Sequence, residues 1–542
     1  MGNKKVFIIF LAAIFVLTGC NGNLDVKSPV TVKDTLESTR LPQDISLPGG
    51  FSAQTELSFD SAAIHVFIKK WPGFSNFENR MLSFYAKRNY AYAWYDQDGL
   101  IEQAGNLYNK ICNIREEGLP GKVLYEQAFR QMMDDSAGIG FLRPDPFIEL
   151  MITAQYFYYA TNVWSGIGTE AMKTVEWDLP HKKLSYESLL DSLLKIPSSQ
   201  FMSTEPVYRQ YALLKKYLKK YREVEATGGW PQIKPDKKLY RIGDSNMVIA
   251  EIRKRLFKSG DLQNDNHSLV FDKELEAAVK NFQQRYGYEE SGEVSSKLIA
   301  EFNYPVSGKI EQIMVNMERC RWLPVALNRD YLVVNVPEFR FHAYENDSLA
   351  WSMKVVVGTS MNKTAIFNGM MSSVVFSPYW NIPPGIMKKE TLPAIRRNRN
   401  YMARNHLEWN GNSIRQLPGP WNALGKVKFL FPNSHSIYLH DTPSKSLFSK
   451  EQRAFSHGCI RVEEPRRLAA YVLRKQPEWT AEKIDSAMNG TKELHVKIKE
   501  PIPVFIAYFT AWVDSKGLMN FRNDIYKRDA RLASMIMDNP KL

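Results

Sequence analysis

The chain has 542 residues, of which 44% are hydrophobic, 24% charged and 12% aromatic, and its formal net charge is +13 at pH 7. This length exceeds what one hydrophobic core organises and predicts about three domains, while the composition excludes a chain that is disordered throughout. The positive charge favours a polyanionic partner such as nucleic acid, an anionic membrane surface or an acidic wall polymer, without choosing among them.

The N-terminus has the layout of a secretory signal. Two lysines precede an apolar run over residues 6–17, which is shorter than the roughly 20 residues that a membrane-spanning helix needs. The run leads into Thr18-Gly19-Cys20, and this ending resembles a bacterial lipobox. We therefore predict a lipoprotein-type signal peptide over residues 1–20, lipid attachment at Cys20, and an exported, periplasmic chain tethered to the inner or the outer membrane. An ordinary cleaved signal and an uncleaved anchor remain alternatives.

The three other cysteines, Cys112, Cys320 and Cys459, show neither CxxC nor metal-knuckle spacing, so a disulfide framework is not expected. Cys112 and Cys320 are most simply explained as buried thiols, because a free cysteine commonly behaves as a small hydrophobic side chain. A bridge between these two remains an alternative, since an exported protein meets an oxidising compartment.

Changes in composition and periodicity divide the rest of the chain. Residues 21–61 are polar and lack periodicity, which is typical of a linker. Residues 62–237 carry apolar side chains at three- and four-residue spacing, for example in the runs 107–114 and 147–159, and predict a helical domain. A Gly-Gly-Trp-Pro turn marks the end of this domain.

Residues 238–304 predict a compact unit of three helices. Asp244 or Ser245 is expected to cap the first helix, and Asp272 the second. Apolar residues then share one face of each helix, namely Val248, Ile252 and Leu256 on the first and Leu275, Val279 and Phe282 on the second. The unit resembles the peptidoglycan-binding repeat of wall enzymes in its Gly-Asp, Phe-Gln and Gly-x-Val elements. A generic helical linker domain is the alternative.

Residues 305–542 change to alternating β-branched and aromatic segments, which predict short strands joined by turns. The predicted strands begin near Tyr331, Phe339, Ser352, Ser372, Ser436 and Glu493. A helix is predicted over residues 465–474. Residues 380–430 are rich in Asn, Arg, Pro and Gly and too long for a plain loop, so we predict that they form a functional insertion or lid.

The segment 436–465 contains the residues best suited to nucleophilic catalysis. A thiolate is a far better nucleophile than a thiol, so a catalytic cysteine needs a base or a positive environment. His440 ends one predicted strand and Cys459 begins the next, and antiparallel pairing of these strands would let the two side chains face each other. We therefore predict that His440 and Cys459 form a catalytic pair.

Neighbouring residues have the chemistry to support such a pair. Gly458 allows close approach of a bound carbonyl, and the amides around Cys459 are candidates for an oxyanion hole. The carbonyl of Asp441 is a candidate for holding the imidazole in one tautomer. His457 is a candidate orienting or lining group, and Arg461 a candidate for binding a substrate carboxylate.

Two assignments stay open on these residues alone. Trp380 and Tyr438 are expected either to line a donor groove or to pack in the core. His440, His457 and Cys459 are valid zinc ligands, although no fourth ligand with regular spacing is apparent.

The sequence SHGCIRV, with fifteen residues between His440 and Ser456, resembles the signature of the L,D-transpeptidases. The resemblance implies Cys459 as nucleophile and His440 as proton acceptor and donor. It also implies supporting roles for Ser456, His457, Gly458 and Arg461, although many members carry Asn at the position of Arg461.

Three further blocks, residues 84–100, 379–393 and 501–529, resemble the scaffold domain, the strand before the lid and the C-terminal strands of the large branch of that family. The fold implied is a multidomain α+β protein. It combines a helical scaffold domain, a small three-helix peptidoglycan-binding module and a β-rich catalytic domain with a lid insertion.

The function implied by the resemblance is that of a peptidoglycan enzyme in cell-wall biogenesis. It forms 3→3 cross-links from a donor tetrapeptide to the side-chain amine of diaminopimelate, through a thioester on Cys459. No metal or organic cofactor and no nucleic acid are implied, and carbapenem-type β-lactams are expected as covalent inhibitors. An L,D-carboxypeptidase acting on tetrapeptide stems and a non-catalytic peptidoglycan-binding lipoprotein remain alternatives.

Overall fold

The computed structural model describes residues 57–96, 98–135, 143–179, 181–196, 205–324 and 329–538. The predicted signal peptide, its Cys20 and residues 21–56 of the predicted linker lie outside the described residues. Within those ranges, no helix combines the length and the apolar character needed to cross a membrane.

The N-terminal part is helical, as predicted. Its helix Pro146–Tyr159 lies at the centre, because every residue from Glu149 onward is buried. Asp145 begins this helix by accepting hydrogen bonds from the amides of Phe147 and Ile148. The surrounding helices are Ala62–Lys70, Glu78–Ala86, Glu102–Cys112, Glu126–Asp135, Thr169–Thr174, Tyr186–Lys195 and Gln210–Ala226, with short strands at Tyr95–Asp96 and Gly99–Leu100.

The three-helix prediction for the next part is confirmed, with helices Met247–Ser259, Lys273–Tyr286 and Ser296–Phe302 and short strands Leu239–Tyr240 and Val294–Ser295. Asp272 caps the second helix as expected, by accepting from the amide of Leu275. The predicted cap of the first helix is wrong. Asn246 caps it, while the Asp244 carboxylate accepts from the amide of Arg241 in the preceding turn.

The β-rich part is built on a nine-stranded sheet. The strand Arg340–Glu345 pairs both with the preceding strand, Tyr331–Asn335, and with the following strand, Ser348–Gly358. These pairings curl the sheet towards closure. The spatial order is Ala454–Ser456, Ser348–Gly358, Ile460–Val462, Leu439–His440, Val427–Leu430, Phe367–Phe376, Leu494–Ala507, Tyr331–Asn335 and Arg340–Glu345. A separate hairpin joins Ala511–Val513 to Met519–Phe521.

The predicted lid has its own three-stranded sheet of Trp380–Asn381, Leu407–Asn410 and Ser413–Gln416, with short helices Pro384–Ile386, Leu392–Arg397 and Tyr401–Arg404. The predicted insertion, residues 380–430, extends too far along the chain, because Val427–Leu430 belongs to the central sheet. The remaining helices of this part are Pro465–Leu473, Ala481–Met488 and Asp529–Met537.

The three described cysteines are free. The alternative of a bridge between Cys112 and Cys320 is therefore wrong. Cys320 is buried as expected, whereas Cys112 is partly exposed.

The helix Val306–Trp322 joins the helical part to the β-rich part. Residues 313–322 are all buried, among them the charged side chains of Glu318 and Arg321, which form an ion pair at 2.6 Å. Glu318 also accepts from the amide of Ile167 at 2.8 Å, and Arg321 donates to the carbonyl of Val163 at 2.8 Å. Because both side chains are buried away from water, each charge is stabilised by the opposite charge of the other.

Replacing Glu318 by Ala is expected to lower the free energy of unfolding by about 3 to 5 kcal/mol, because Arg321 would keep a buried charge without its carboxylate partner. Urea denaturation followed by circular dichroism measures the change. Glu311→Ala, at an exposed position of the same helix, is the matched control and should change stability by less than about 0.5 kcal/mol. Equal stability losses in the two variants would contradict this role of the ion pair.

Candidate active site

The strand Leu439–His440 and the strand Ile460–Val462 bring the predicted pair together. They run parallel, with Leu439 opposite Ile460 and His440 opposite Arg461, so the expected antiparallel pairing is wrong. The long excursion over residues 441–459 returns the chain to the starting end of the first strand, as a parallel connection requires. Leu439 and Ile460 are fully buried in the core. Because side chains alternate along strands, Tyr438, His440, Cys459 and Arg461 share the opposite face.

His440 is held in one tautomer. Its Nδ1 lies 2.5 Å from the carbonyl oxygen of Asp441, and since that oxygen can only accept, Nδ1 must carry the proton. The lone pair of Nε2 is therefore available. The pKa of His440 is lowered to about 4, mainly by burial and to a smaller extent by the charge of Arg461, whereas the carbonyl and carboxylate of Asp441 act in the opposite direction. The imidazole is neutral at pH 7.

The Asp441 carbonyl is fixed by the other groups of that residue. Its carboxylate accepts from the amide of Lys426 at 2.9 Å and the amide of Thr442 at 2.7 Å, and pairs with Lys445 at 2.6 Å. Gly425 has φ +62°, and a Cβ there would collide with this carboxylate. The sequence analysis missed Gly425, Lys426 and Lys445, and only Lys445, four residues after Asp441, offers a local signal.

Cys459 is partly exposed and holds its thiol proton towards the carbonyl oxygen of Ser436, 3.8 Å from Sγ. Ser436 adopts φ +53°, an uncommon conformation for a residue other than glycine, which places this carbonyl. Burial raises the pKa of the Cys459 thiol, while hydrogen bonds from the Tyr438 amide and hydroxyl and the charge of Arg461 lower it less. The resting site therefore pairs a neutral thiol with a neutral imidazole.

Tyr438 and Arg461 complete the face around the sulfur. The Tyr438 ring lies 5.7 Å from the His440 ring, between centroids, so this residue contacts both members of the pair. Arg461 is partly exposed, and its buried Nε has no hydrogen-bond partner among the described residues. A guanidinium with unused donors beside the sulfur is suited to a substrate carboxylate.

A network from distant segments shapes the turn before Cys459. Ser456 Oγ donates to the carbonyl of Cys459 at 2.5 Å and accepts from the amide of Gly458 at 3.1 Å. That amide is thus occupied and does not serve the oxyanion hole in this state. Gly458 has φ +117°, which favours glycine, and Thr364 donates to its carbonyl at 2.8 Å. Thr364 in turn accepts from the amide of Gly358 at 2.9 Å. The role of Thr364 could not be predicted from the sequence, because Gly458 is 94 residues away in the chain.

The contacts of His457 and Trp380 are with the lid. The exposed His457 places Nε2 3.5 Å from a carboxylate oxygen of Glu390 in the lid. Trp380 is paired with Gln416 at the base of the lid. Across the ranges described, Trp380 makes no ring contact with His440, and no three His, Cys, Asp or Glu side chains are arranged to hold a metal ion. The zinc alternative therefore lacks a ligand set.

Three family models match the chain. An L,D-transpeptidase catalytic domain matches residues 329–493, a scaffold domain matches residues 79–218, and a "Putative peptidoglycan binding domain" matches residues 248–301. A Haemophilus influenzae protein described as "Putative L,D-transpeptidase" is 31% identical over 243 residues, which cover 41% of this chain and 49% of that protein. The match spans about half the length of this curated relative.

Two solved structures are similar to parts of the chain. An L,D-transpeptidase from Mycobacterium smegmatis is 13% identical, with coverage of 33% of this chain and 58% of that chain and a TM-score of 0.20. An L,D-transpeptidase from Stackebrandtia nassauensis is also 13% identical, with coverage of 51% and 96% and a TM-score of 0.22.

The neutral state of Cys459 gives a direct spectroscopic prediction. Because burial raises the thiol pKa above its ordinary value of 9.0, the thiolate absorbance in the ultraviolet should be absent at pH 7 and appear only above pH 9. The signal is obtained as the difference between the wild type and Cys459→Ser, so that Cys112 and Cys320 cancel. A full thiolate signal at pH 7 would show an ion pair and contradict the neutral resting site.

Proposed function

We propose that this chain forms 3→3 cross-links between peptidoglycan stem peptides with Cys459 as nucleophile, a function supported by the match of residues 329–493 to an L,D-transpeptidase catalytic domain. The observation that carries the proposal is the neutral His440, whose Nδ1 proton is committed to the Asp441 carbonyl. Its free nitrogen belongs to the face of the sheet that also bears Cys459. A base and a nucleophile are thus available together.

The first half-reaction is acylation of Cys459. The sulfur attacks the carbonyl carbon that links the third stem residue to the terminal D-alanine, and His440 Nε2 takes the thiol proton. When the tetrahedral adduct collapses, the carbon–nitrogen bond breaks and His440 returns the proton to the departing amine. D-alanine leaves, and the tripeptide acyl group remains on sulfur as a thioester.

The second half-reaction transfers that acyl group. The side-chain amine of diaminopimelate on a neighbouring stem attacks the thioester carbonyl, and His440 accepts a proton from this nitrogen. The carbon–sulfur bond then breaks, the proton returns to sulfur, and the 3→3 amide is complete. His440 and Cys459 both end neutral, as they began, so no cofactor is consumed.

Tyr438 and Arg461 support the charged stage of this cycle. The Tyr438 amide and hydroxyl and the Arg461 charge each favour ionised sulfur, although burial outweighs them in the resting site. Arg461 is also placed to bind the terminal carboxylate of the donor peptide, since its Nε has no partner within the described part of the chain. Binding there would fix the scissile bond beside Cys459.

The lid supplies a second set of positive charges. Six exposed cations lie on it without an ion pair among the residues described, namely Lys388, Lys389, Arg396, Arg397, Arg399 and Arg404. Stem peptides carry several carboxylates, so a lid of this charge favours holding them at the entrance. Trp380 at the base of the lid and Tyr438 at the sulfur would then bound a donor groove.

The cellular setting is part of the same proposal. A lipid on Cys20 would hold the enzyme at a periplasmic membrane surface, within reach of the wall. The module over residues 248–301 would retain it on peptidoglycan. Carbapenem-type β-lactams would acylate Cys459, because they also present a carbonyl to the nucleophile.

Intact-protein mass spectrometry with a disaccharide-tetrapeptide tests this function. The wild type and the control Cys112→Ala should gain the mass of the substrate less D-alanine, because the partly exposed Cys112 lies outside the site. Cys459→Ala should gain nothing. With acceptor present, 3→3 dimers should accumulate. Adducts on Cys459→Ala would contradict the assignment, and exclusive release of tripeptide would instead assign an L,D-carboxypeptidase.

A further inference from the structure

A cavity of about 1350 Å³ lies where the three parts of the described chain meet. Its walls include residues 208–210 of the helical part, residues 284–290 of the three-helix module and a broad face of the central sheet. Neither His440 nor Cys459 lines it. The volume exceeds the roughly 300 to 1,000 Å³ that is usual for small-molecule pockets, so it has room for a segment of a polymer.

Four arginines line this cavity: Arg209, which lies over the Tyr344 ring, and a cluster of Arg340, Arg453 and Arg522. Arg453 donates only to backbone carbonyls, including those of Phe339 at 3.1 Å and Lys450 at 2.6 Å. Arg522 also donates to carbonyls, at 2.6 Å to Arg285. In the described ranges none of the three guanidiniums forms an ion pair, and Arg340 has no side-chain hydrogen bond. Glu463 and Glu338 act on these charges only from beyond ion-pair distance.

The carboxylate of Glu338, which lies among these arginines, already has other partners. Glu338 pairs with His342 at 2.9 Å and accepts from Asn335 at 3.2 Å. Burial, with repulsion from Arg340, lowers the pKa of Arg453 and of Arg522 to about 10 each. Glu463 and more weakly Glu338 act in the opposite direction on Arg453, and Glu338 does so on Arg522. The protein thus leaves an excess of positive charge in a partly desolvated cavity, where an anion is strongly favoured.

The other acidic side chains of the lining lie at its rim or have partners. Glu289 and Glu290 are exposed, and Glu451 pairs with Lys297 at 2.7 Å. Asp514 accepts from the side chain of Asn520 at 3.0 Å. Asp347 is partly exposed, and its carbonyl accepts a hydrogen bond from Arg209 at 2.7 Å. These carboxylates do not neutralise the arginine cluster.

Aromatic side chains flank the arginines. Tyr331 and Tyr344 stack at 4.8 Å between ring centroids, and Arg209 lies over the Tyr344 ring at 5.7 Å. Trp512 is partly exposed, with the Arg522 guanidinium over its ring at 4.9 Å. Tyrosine and tryptophan present apolar faces together with polar edges, which suits amphipathic rings such as sugars.

Arg522 also fixes the wall that the three-helix module contributes. Gly287 of that module has φ +74°, and a Cβ there would lie 2.6 Å from Nε of Arg522. Only glycine tolerates both the conformation and the contact. Residues 248–301 match a peptidoglycan-binding family, and the end of this module forms one side of the cavity.

We infer that this cleft is a second peptidoglycan-binding site, separate from Cys459, in which stem-peptide carboxylates pair with Arg340 and its neighbouring arginines while sugar rings lie against Tyr344 and Trp512. The identity of the polymer rests on the proposed function. The excess of positive charge is a property of the cleft itself. A peptidoglycan strand bound in the cleft would stay attached to the enzyme while the lid and Cys459 act on stem peptides elsewhere in the wall.

Sedimentation with purified sacculi tests the inference, using the full chain with Cys459→Ala so that no transfer occurs. Adding Arg340→Gln should weaken binding about tenfold, the usual effect of losing one charge-assisted contact, and should reduce its dependence on salt. Arg467→Gln removes the same charge from an exposed residue outside the cavity, and should change binding less than about twofold. Unchanged binding by Arg340→Gln would overturn the site.

Two further measurements separate this result from misfolding and from failure of the active site. Arg340→Lys keeps the charge and should retain most binding, and a disaccharide-tetrapeptide should compete with sacculi better than a neutral chito-oligosaccharide. Equal competition by the neutral sugar would overturn the carboxylate assignment. With Cys459 intact, Arg340→Gln should be acylated by a carbapenem at the normal rate. A slower rate would show that Arg340 serves Cys459 and would overturn a separate site.

Discussion

The hydrogen bond from His440 Nδ1 to the Asp441 carbonyl determines which imidazole nitrogen remains free for chemistry. The surrounding residues hold either His440 or Asp441, the two partners of this hydrogen bond, in position. The Asp441 carboxylate is anchored by Lys426, Thr442 and Lys445, and the strand register places His440 opposite Arg461. Burial then keeps the imidazole neutral. A base prepared in this way can accept a proton at neutral pH without first losing one.

The neutrality of both reacting groups has a consequence for control of the reaction. A thiol with a raised pKa is a poor nucleophile until a substrate carbonyl and a proton acceptor are both in position. The Cys459 thiol points towards the Ser436 carbonyl at rest, so it must turn to reach His440. The contact between His457 and Glu390 joins the lid to the turn that precedes Cys459.

The sequence alone was sufficient for local features and insufficient for long-range ones. The spacing of His440, Gly458 and Cys459 pointed to this site, and the Asp441 carbonyl follows its histidine directly. The parallel pairing of Leu439–His440 with Ile460–Val462 could not be predicted from the local sequence, because it depends on the path of residues 441–459. Gly425 and Thr364 were missed for the same reason, since each meets the site only through the sheet. The Arg340 cluster likewise joins segments far apart in the chain.

The protonation state of His440 is the most direct test of this account. Nuclear magnetic resonance of the protein labelled with ¹⁵N-histidine distinguishes a protonated from a bare ring nitrogen, with His440→Gln identifying the signals. At pH 7 the account predicts a proton on Nδ1 and a bare Nε2, with titration of the ring only near pH 4. Protons on both nitrogens at pH 7 would show an imidazolium at rest and would contradict it.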